Sequence, residues 1–313
     1  MQSHSSASAD SAITVLLPVF NAGPFLDAAV ESIETQTLRA VRVIAIDDGS
    51  TDGSGERLQS RTSPTLSVIR LPRNRGLVHA LNTGLEAVET PFLARMDADD
   101  ISIPERLGLQ LRHLAENPDV VLVGTAAAHI GASSDEPAWP IRMPVAHDEI
   151  MTAMSARRSA VIHPTIMART EAIRAAGGYR AEAYPAEDYD LFLRLSRQGR
   201  LANLASILYL IRLHPGSITA SNILRAQRQY DRIRRDFTGD QNSPKITIRD
   251  LLDMYSVVAY RRGITAAVNG KRLRGSAWLV SAAALSPSRT FEYVRRRVRL
   301  VRDTAIGPKA DKA

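Results

Sequence analysis

Short apolar runs alternate with helix-period segments through the first half of the chain, and this alternation constrains the fold more than any other feature. Residues 12–20, AITVLLPVF, are apolar and bounded by turn residues, the pattern of a buried strand. Pro24 in the NAGP turn suits a first helical position, and Leu26, Val30 and Ile33 follow at helical spacing. VRVIAI (41–46), LSVIRL (66–71) and PFLAR (91–95) read as three more buried strands. Between the last two, Leu77, Leu81, Leu85 and Val88 share one helix face. Strands separated by helices of this length predict βαβ units and a mainly parallel sheet. Ligands bind such sheets beyond the carboxyl ends of the strands. Two acidic clusters, IDDGSTD and DADD, each follow a strand and so belong on that edge.

The later sequence is more mixed. PERLGLQLRHLAE reads as a helix with Leu107, Leu111 and Leu114 inward, and DVVLVG as a strand. Residues 131–145, with three prolines and an exposed Trp139, read as a long loop. AVIHPTIMA reads as a strand. TEAIRAAGG reads as a helix capped by Thr170 and closed near Gly177. AEDYDLFLRLSRQG is a helix led by carboxylates, and LANLASILYLIRLH completes the core as strand.

The 313 residues carry a net charge of +7, placed unevenly. Residues 220–313 hold 20 Lys and Arg against 8 Asp and Glu, whereas the rest holds 20 against 25. An acidic body with a basic tail suggests two tasks on one chain. A boundary is expected near 220, with a polar, disordered tail over 1–10, a catalytic domain over 11–220 and a basic helical extension over 221–313. There is no cysteine, which excludes disulfides and thiolate chemistry. MQSHSSASAD lacks the basic and apolar regions of a secretory signal, so a cytoplasmic protein is expected.

Asp97 and Asp99 stand behind Arg95 in an Asp-x-Asp pair. In extended chain they face one side, because side chains alternate. Two carboxylates on one side suit Mg²⁺ or Mn²⁺, completed by phosphates and water; taken alone, the pair reads first as a solvated loop capping the helix at 104–116. Asp100, nearest that helix, suits a structural role. In IDDGSTD a carboxylate at a strand end can accept from a base or ribose, or the cluster is turn chemistry. Glu187, Asp188 and Asp190 either complement a helix dipole or supply a general base. His163 and His214 read as core or loop residues. Neither a G-x-G-x-x-G after the first strand nor a P-loop is present, which argues against a dehydrogenase and a P-loop NTPase.

In this order, VLLPVFNAGPFLDAAVESIETQT, IAIDDGSTDGS, NRGLVHALNTGLEA, ARMDADDISIPERL, GGYR and AEDYDLFLRL resemble the family 2 glycosyltransferases, over residues 12–215. The resemblance implies a GT-A (Rossmann-like) α/β fold, a divalent metal and an inverting transfer from a nucleotide-sugar, a UDP-sugar in the first instance, to a glycan or lipid-linked acceptor. It implies that Asp48 hydrogen-bonds the base and that Pro18, Phe20, Arg75 and Gly76 border the nucleotide. It implies that Asp97 and Asp99 hold the metal against the diphosphate, that Asp188 is the base with Glu187 beside it, and that His214 completes the metal site. Two rivals stand beside it: a sugar-1-phosphate nucleotidyltransferase and a non-catalytic nucleotide-binding or membrane-adaptor protein. The stripe Phe291, Val294, Val298 and Val301 among arginines reads either as a helix lying on the inner face of the plasma membrane or as a solvated helix packing on the catalytic domain. Nothing that would read bases accompanies those arginines, so nucleic acid is not an expected partner.

Overall fold

The computed structural model describes residues 13–38, 42–61, 63, 65–132, 139–156, 158–214, 223–239, 247–288 and 290–291. They form two compact units, Met1–Ala127 with Ile141–Ile211 and Ala226–Asp240, and Ala128–Pro140 with Arg212–Arg225 and Gln241–Ala313. No single cut at 220 separates them. The expected tail at 1–10 lies outside the described residues.

The first unit opens with β1 (Ile13–Val19), α1 (Leu26–Glu34), β2 (Arg42–Asp47), α2 (Ser54–Ser60), β3 (Leu66–Arg70), α3 (Leu77–Glu86) and β4 (Phe92–Arg95). β1 pairs with β2 and β4, and β2 with β3, all parallel. The loops after these strands therefore share one sheet edge. Alternate residues bury on opposite faces: Leu16, Ile44 and Ile46 join one core, and Val15, Leu17, Val43 and Ala45 the other. α3 lies close to the sheet at Gly84, where a Cβ would stand 2.7 Å from Ile46 Cδ1.

Then come β5 (Ile101–Ser102), α4 (Arg106–Glu116), β6 (Val120–Gly131), β7 (Trp139–Ile141), α5 (His147–Ser155), β8 (Met167–Arg169), α6 (Thr170–Ala175), α7 (Glu187–Leu195), β9 (Arg200–Leu213) and α8 (Ile223–Thr238). The sheet runs β3-β2-β1-β4-β8-β6-β9-β5, with β7 on β6. β8 is antiparallel to β4 and β6, and β5 to β9. The sheet is mixed: parallel where helical crossovers join β1 to β4, and antiparallel where β8 meets β4 and β6 and where β5 meets β9.

Three local expectations are corrected. AVIHPTIMA is strand only over Met167–Arg169; His163–Thr165 forms a 3₁₀ turn around Pro164, which lacks the N–H a ladder needs. Thr170 does not cap α6. Its hydroxyl donates to the Thr90 carbonyl at 2.7 Å, tying the helix start to the loop before β4. Trp139 is half-buried in a strand, against Ala259, Tyr260 and Ile264. Gly177 does close α6, at φ +82°.

α4 buries more than its leucines. Arg106 is 1% exposed and Gln110 fully buried. Arg106 Nη2 donates to the Arg95 carbonyl at 2.6 Å, and its Nε to Gln110 Oε1 at 3.0 Å. Gln110 Nε2 donates to the carbonyls of Val123 (2.9 Å) and Thr165 (2.7 Å). This i, i+4 pair braces the end of β4 against β6 and the 3₁₀ turn.

In the second unit, α9 (Ile248–Val268) and α10 (Arg272–Leu285) cross at Gly263 and Gly275, where a Cβ on Gly275 would stand 2.9 Å from the Gly263 carbonyl oxygen. Asn269 reaches the Leu213 carbonyl and accepts from the Ala132 N–H, each at 3.1 Å. Among the described residues no helix is long and apolar enough to cross a membrane. Of the expected stripe, Val294, Val298 and Val301 lie outside the described residues.

Gln110→Leu keeps the volume but orphans two buried carbonyls and the Arg106 Nε. Each orphaned group costs about 1–3 kcal/mol, so urea unfolding is expected to lose about 3 kcal/mol or more. A loss under about 1 kcal/mol would contradict the bracing role.

Candidate functional site

The loops at the strand ends are bound to one another by their own carboxylates. At the end of β2, Asp47 is fully buried, accepts from the Ser50 N–H at 2.8 Å and faces Arg70 Nε at 3.3 Å. Asp52 accepts from the N–H groups of Gly23 (2.9 Å) and Ser54 (3.0 Å), linking the loop after β1 to α2. Asn21 completes this link, donating its N–H to Ser50 Oγ (3.0 Å) and accepting from the Thr51 N–H (2.9 Å).

Asp48 lies between these two and works differently. It is 3% exposed, and its two oxygens accept from the N–H groups of Arg75 and Gly76, each at 2.8 Å. The loop after β3 is thereby drawn onto the end of β2. Two glycines permit that approach. Gly49 has φ +72°, and a Cβ there would stand 2.5 Å from the Arg73 carbonyl carbon. Gly76 leads α3 at φ +88°. A carboxylate has about four acceptor sites, so Asp48 retains capacity for a further donor. Pro18 is half-buried near the end of β1, while Phe20 and Arg75 are exposed. Pro18, Phe20, Asp48, Arg75 and Gly76 thus lie at the ends of β1, β2 and β3, on one sheet edge.

Asp97, Asp99 and Asp100 follow β4 on that same edge, each offering a carboxylate oxygen, all within 4.8 Å of one another. Asp97 and Asp99 are half-buried and Asp100 is buried. Burial pushes the Asp97 carboxyl up, Arg95 pulls it down and Asp99 pushes it up. Arg95 Nη2 meets Asp97 Oδ1 at 2.5 Å. The Asp97 N–H donates to the hydroxyl of Tyr209, fully buried on β9, at 3.0 Å. Arg106 stacks on the Tyr209 ring, 4.9 Å from its centre. Burial draws the Arg106 guanidinium down to about 10, still a cation at neutral pH. Two buried cations and a phenol therefore back the acidic loop.

α7 separates its three carboxylates. Asp190 is taken by Arg194, whose Nε and Nη2 reach its Oδ2 at 2.8 and 2.5 Å. Asp188 is half-buried and accepts from the Tyr189 N–H at 2.7 Å. Burial raises its pKa above the ordinary carboxylate range. Burial, with the Asp188 charge adding to it, pushes Glu187 up to about 7. Asp97 also acts on Glu187, and Arg95 on both acids, so the two acidic groups belong to one electrostatic site. Beside them His163 Nε2 and the Tyr179 hydroxyl are 2.9 Å apart. Burial first, and Arg95 second, hold His163 well below its usual pKa.

His214 belongs to the second unit, just past β9. Among the described residues the acidic grouping is Asp97, Asp99 and Asp100. Sequence reasoning missed Arg95, Arg106 and Tyr209 as members of the site. Only Arg95 left a trace, as the cation beside the acidic run.

A strand-end edge with a carboxylate after β2 that holds the β3–α3 loop, an acidic cluster after β4 and an acid pair leading α7 has the architecture of the GT-A glycosyltransferases. The structure of Staphylococcus aureus TarS residues 1–349 in complex with UDP-GlcNAc shares this fold at TM-score 0.56 and 16% identity, covering 91% of this chain and 92% of that one. The mannosyltransferase PcManGT of Pyrobaculum calidifontis, in complex with GDP-Man and Mn²⁺, does so at TM-score 0.55 and 19% identity, covering 92% and 80%. The chain belongs to glycosyl transferase family 2, whose family model matches residues 14–175. It is a glycosyltransferase. Among its relatives, the amylovoran biosynthesis glycosyltransferase AmsE of Erwinia amylovora is 32% identical over 190 residues, 60% of this chain and 70% of that protein.

Glu187 yields a pH prediction. Its carboxyl titrates at about 7 in the folded protein against 4.5 as its ordinary value. Between those values the native state binds more protons than the unfolded state, so stability falls as pH rises through that window. Glu187→Gln removes the penalty. Thermal unfolding is expected to show the variant gaining on the wild type from pH 5 to pH 8; a constant difference would contradict the burial of Glu187.

Proposed function

We propose that the protein transfers a sugar, with inversion, from a nucleoside-diphosphate sugar to a hydroxyl of a glycan or lipid-linked acceptor during polysaccharide assembly. The observation that carries this reading is the acidic cluster within 4.8 Å on the same sheet edge as Asp48. The relatives' printed roles and the nucleotide-sugars bound by the fold neighbours favour it. A UDP-sugar is the first donor to test.

Three clustered carboxylates are hard oxygen donors, the set that suits Mg²⁺ or Mn²⁺. Asp99 and Asp97 would hold the cation, with Asp100 beside them. A divalent cation supplies charge neutralisation for a diphosphate leaving group. Asp48 accepts a base N–H with its remaining lone pairs and keeps the Arg75–Gly76 loop against the nucleotide. Pro18 and Phe20 border the base. Asp188 takes the proton of the acceptor hydroxyl, and burial strengthens it as a base.

The nucleotidyltransferase reading needs a phosphate cradle after β1. Here the N–H groups of Asn21 and Gly23 are engaged by Ser50 and Asp52, which disfavours it. A non-catalytic adaptor gives no reason for a strengthened base at Asp188.

The same proposal places the second unit against the cytoplasmic face of a membrane. Leu273 and Val280 on α10 are 91% and 69% exposed, with Lys271 and Arg274 exposed beside them. Apolar and basic groups together favour an anionic lipid surface.

Asp188→Asn is expected to lower UDP release from the accepted UDP-sugar by about 10²–10⁴-fold, the usual worth of a general base, with UDP affinity within about twofold of the wild type. Near-normal turnover would overturn the assignment. In flotation with phosphatidylserine vesicles, Leu273→Asp/Val280→Asp is expected to lose binding that the wild type shows; equal flotation of both, or none by the wild type, counts against membrane contact.

A further inference from the structure

Arg95 ends β4, and its charge acts on both acidic groups of the site. The residue is 2% exposed. Its backbone is held on both sides: the N–H donates to the Ile166 carbonyl at 3.0 Å, and the carbonyl accepts from Arg106 Nη2 at 2.6 Å. Only Nη2 of its guanidinium has an acceptor, Asp97. The buried Nε and Nη1 have no hydrogen-bond partner, and neither does Glu187 Oε2, whose residue is 7% exposed. A buried guanidinium with two unpaired donors is costly unless something uses its field or its N–H groups. That charge acts on Asp97, Glu187 and Asp188 at once, and on the His163–Tyr179 pair.

We propose that Arg95 is a positioning residue shared by the two halves of the site, anchoring Asp97 through Nη2 and keeping its buried, unpaired Nε and Nη1 and its charge for the Glu187–Asp188 pair. This rests on the reading of Asp188 as the base. Arg95 does not touch the acceptor. It keeps the base carboxylate anionic and aimed, in a place where burial opposes its charge. One cation then sets the geometry of the donor side and the base side together. Chemically, an ammonium can supply the charge at this position, but it lacks the planar fork that reaches several acceptors.

Arg95 on β4 is the charged group that acts on Asp188, and Asp188 in turn acts on Glu187 on its own helix and on Tyr179 from the segment before α7. Aspartate labelled at the carboxyl carbon, with the Asp188 signal assigned by its loss in Asp188→Asn, reports its titration directly and needs no donor. Arg95→Gln is expected to move that titration up by at least one pH unit, and Arg95→Lys to restore most of the difference. An Asp188 signal that titrates alike in the wild type and Arg95→Gln overturns the proposal.

A second measurement leaves Arg95 intact, in case its variants fail to fold. With arginine labelled at Nε, the Arg95 resonance is expected to shift in Glu187→Gln and in Asp188→Asn. Indifference to both overturns the proposal equally. Neither spectrum depends on turnover. Normal UDP release by Asp188→Asn would therefore remove the catalytic reading of the base while leaving the Arg95 coupling measured, so the two failures are distinct.

Discussion

The ion pair of Arg95 with Asp97 is the interaction on which the site depends. Three aspartates crowd four positions at the end of a buried strand, and Glu187 and Asp188 add two more acids within reach of the same field. Such a concentration of carboxylates is unfavourable in a partly dry setting. Arg95 opposes it directly at 2.5 Å. Arg106 adds a second buried cation, stacked on Tyr209, and holds the Arg95 carbonyl. Gln110 then fixes Arg106 and ties the assembly to β6 and the turn at Thr165. The acidic loop is thus a supported structure, positioned before any ligand arrives.

The other half of the edge is built on the same logic with smaller parts. Asp47 and Asp52 serve the fold, and Asp48, between them, brings the loop after β3 into the site. On α7, Arg194 takes Asp190 out of the chemistry and leaves Glu187 and Asp188 with raised basicity. In both clusters structural and functional carboxylates are neighbours in sequence. Their partners, not their type, tell them apart.

Much of this was legible in the sequence. Buried strands separated by helices predict parallel pairing of β1 to β4 and place both acidic clusters on one edge, as found; the strand order itself does not follow from them. The ordered motifs identify the family. What stayed hidden depended on tertiary partners. Arg106 and Gln110 are polar residues at i, i+4, a pattern that reads as a solvated helix face; only the surrounding carbonyls make them interior braces. Tyr209 sits on a distant strand with no local signal of its role. The strand expected over AVIHPTIMA yields to Pro164, and Thr170 gives its hydroxyl to Thr90 rather than to its own helix. A second unit toward the C-terminus is expected; the grouping of residues 128–140 with it and of 226–240 with the first unit carries no signal in the local sequence.

The central claim is that Asp97 and Asp99 form a cation site that works together with a nucleoside diphosphate. Titration of Mn²⁺ into the protein with and without UDP, followed by the electron paramagnetic resonance of free Mn²⁺, tests it most directly. The account predicts that UDP tightens Mn²⁺ binding at least tenfold and that Asp99→Ala abolishes this gain while the fold survives. Equal Mn²⁺ binding with and without UDP, or a full gain in Asp99→Ala, would contradict it.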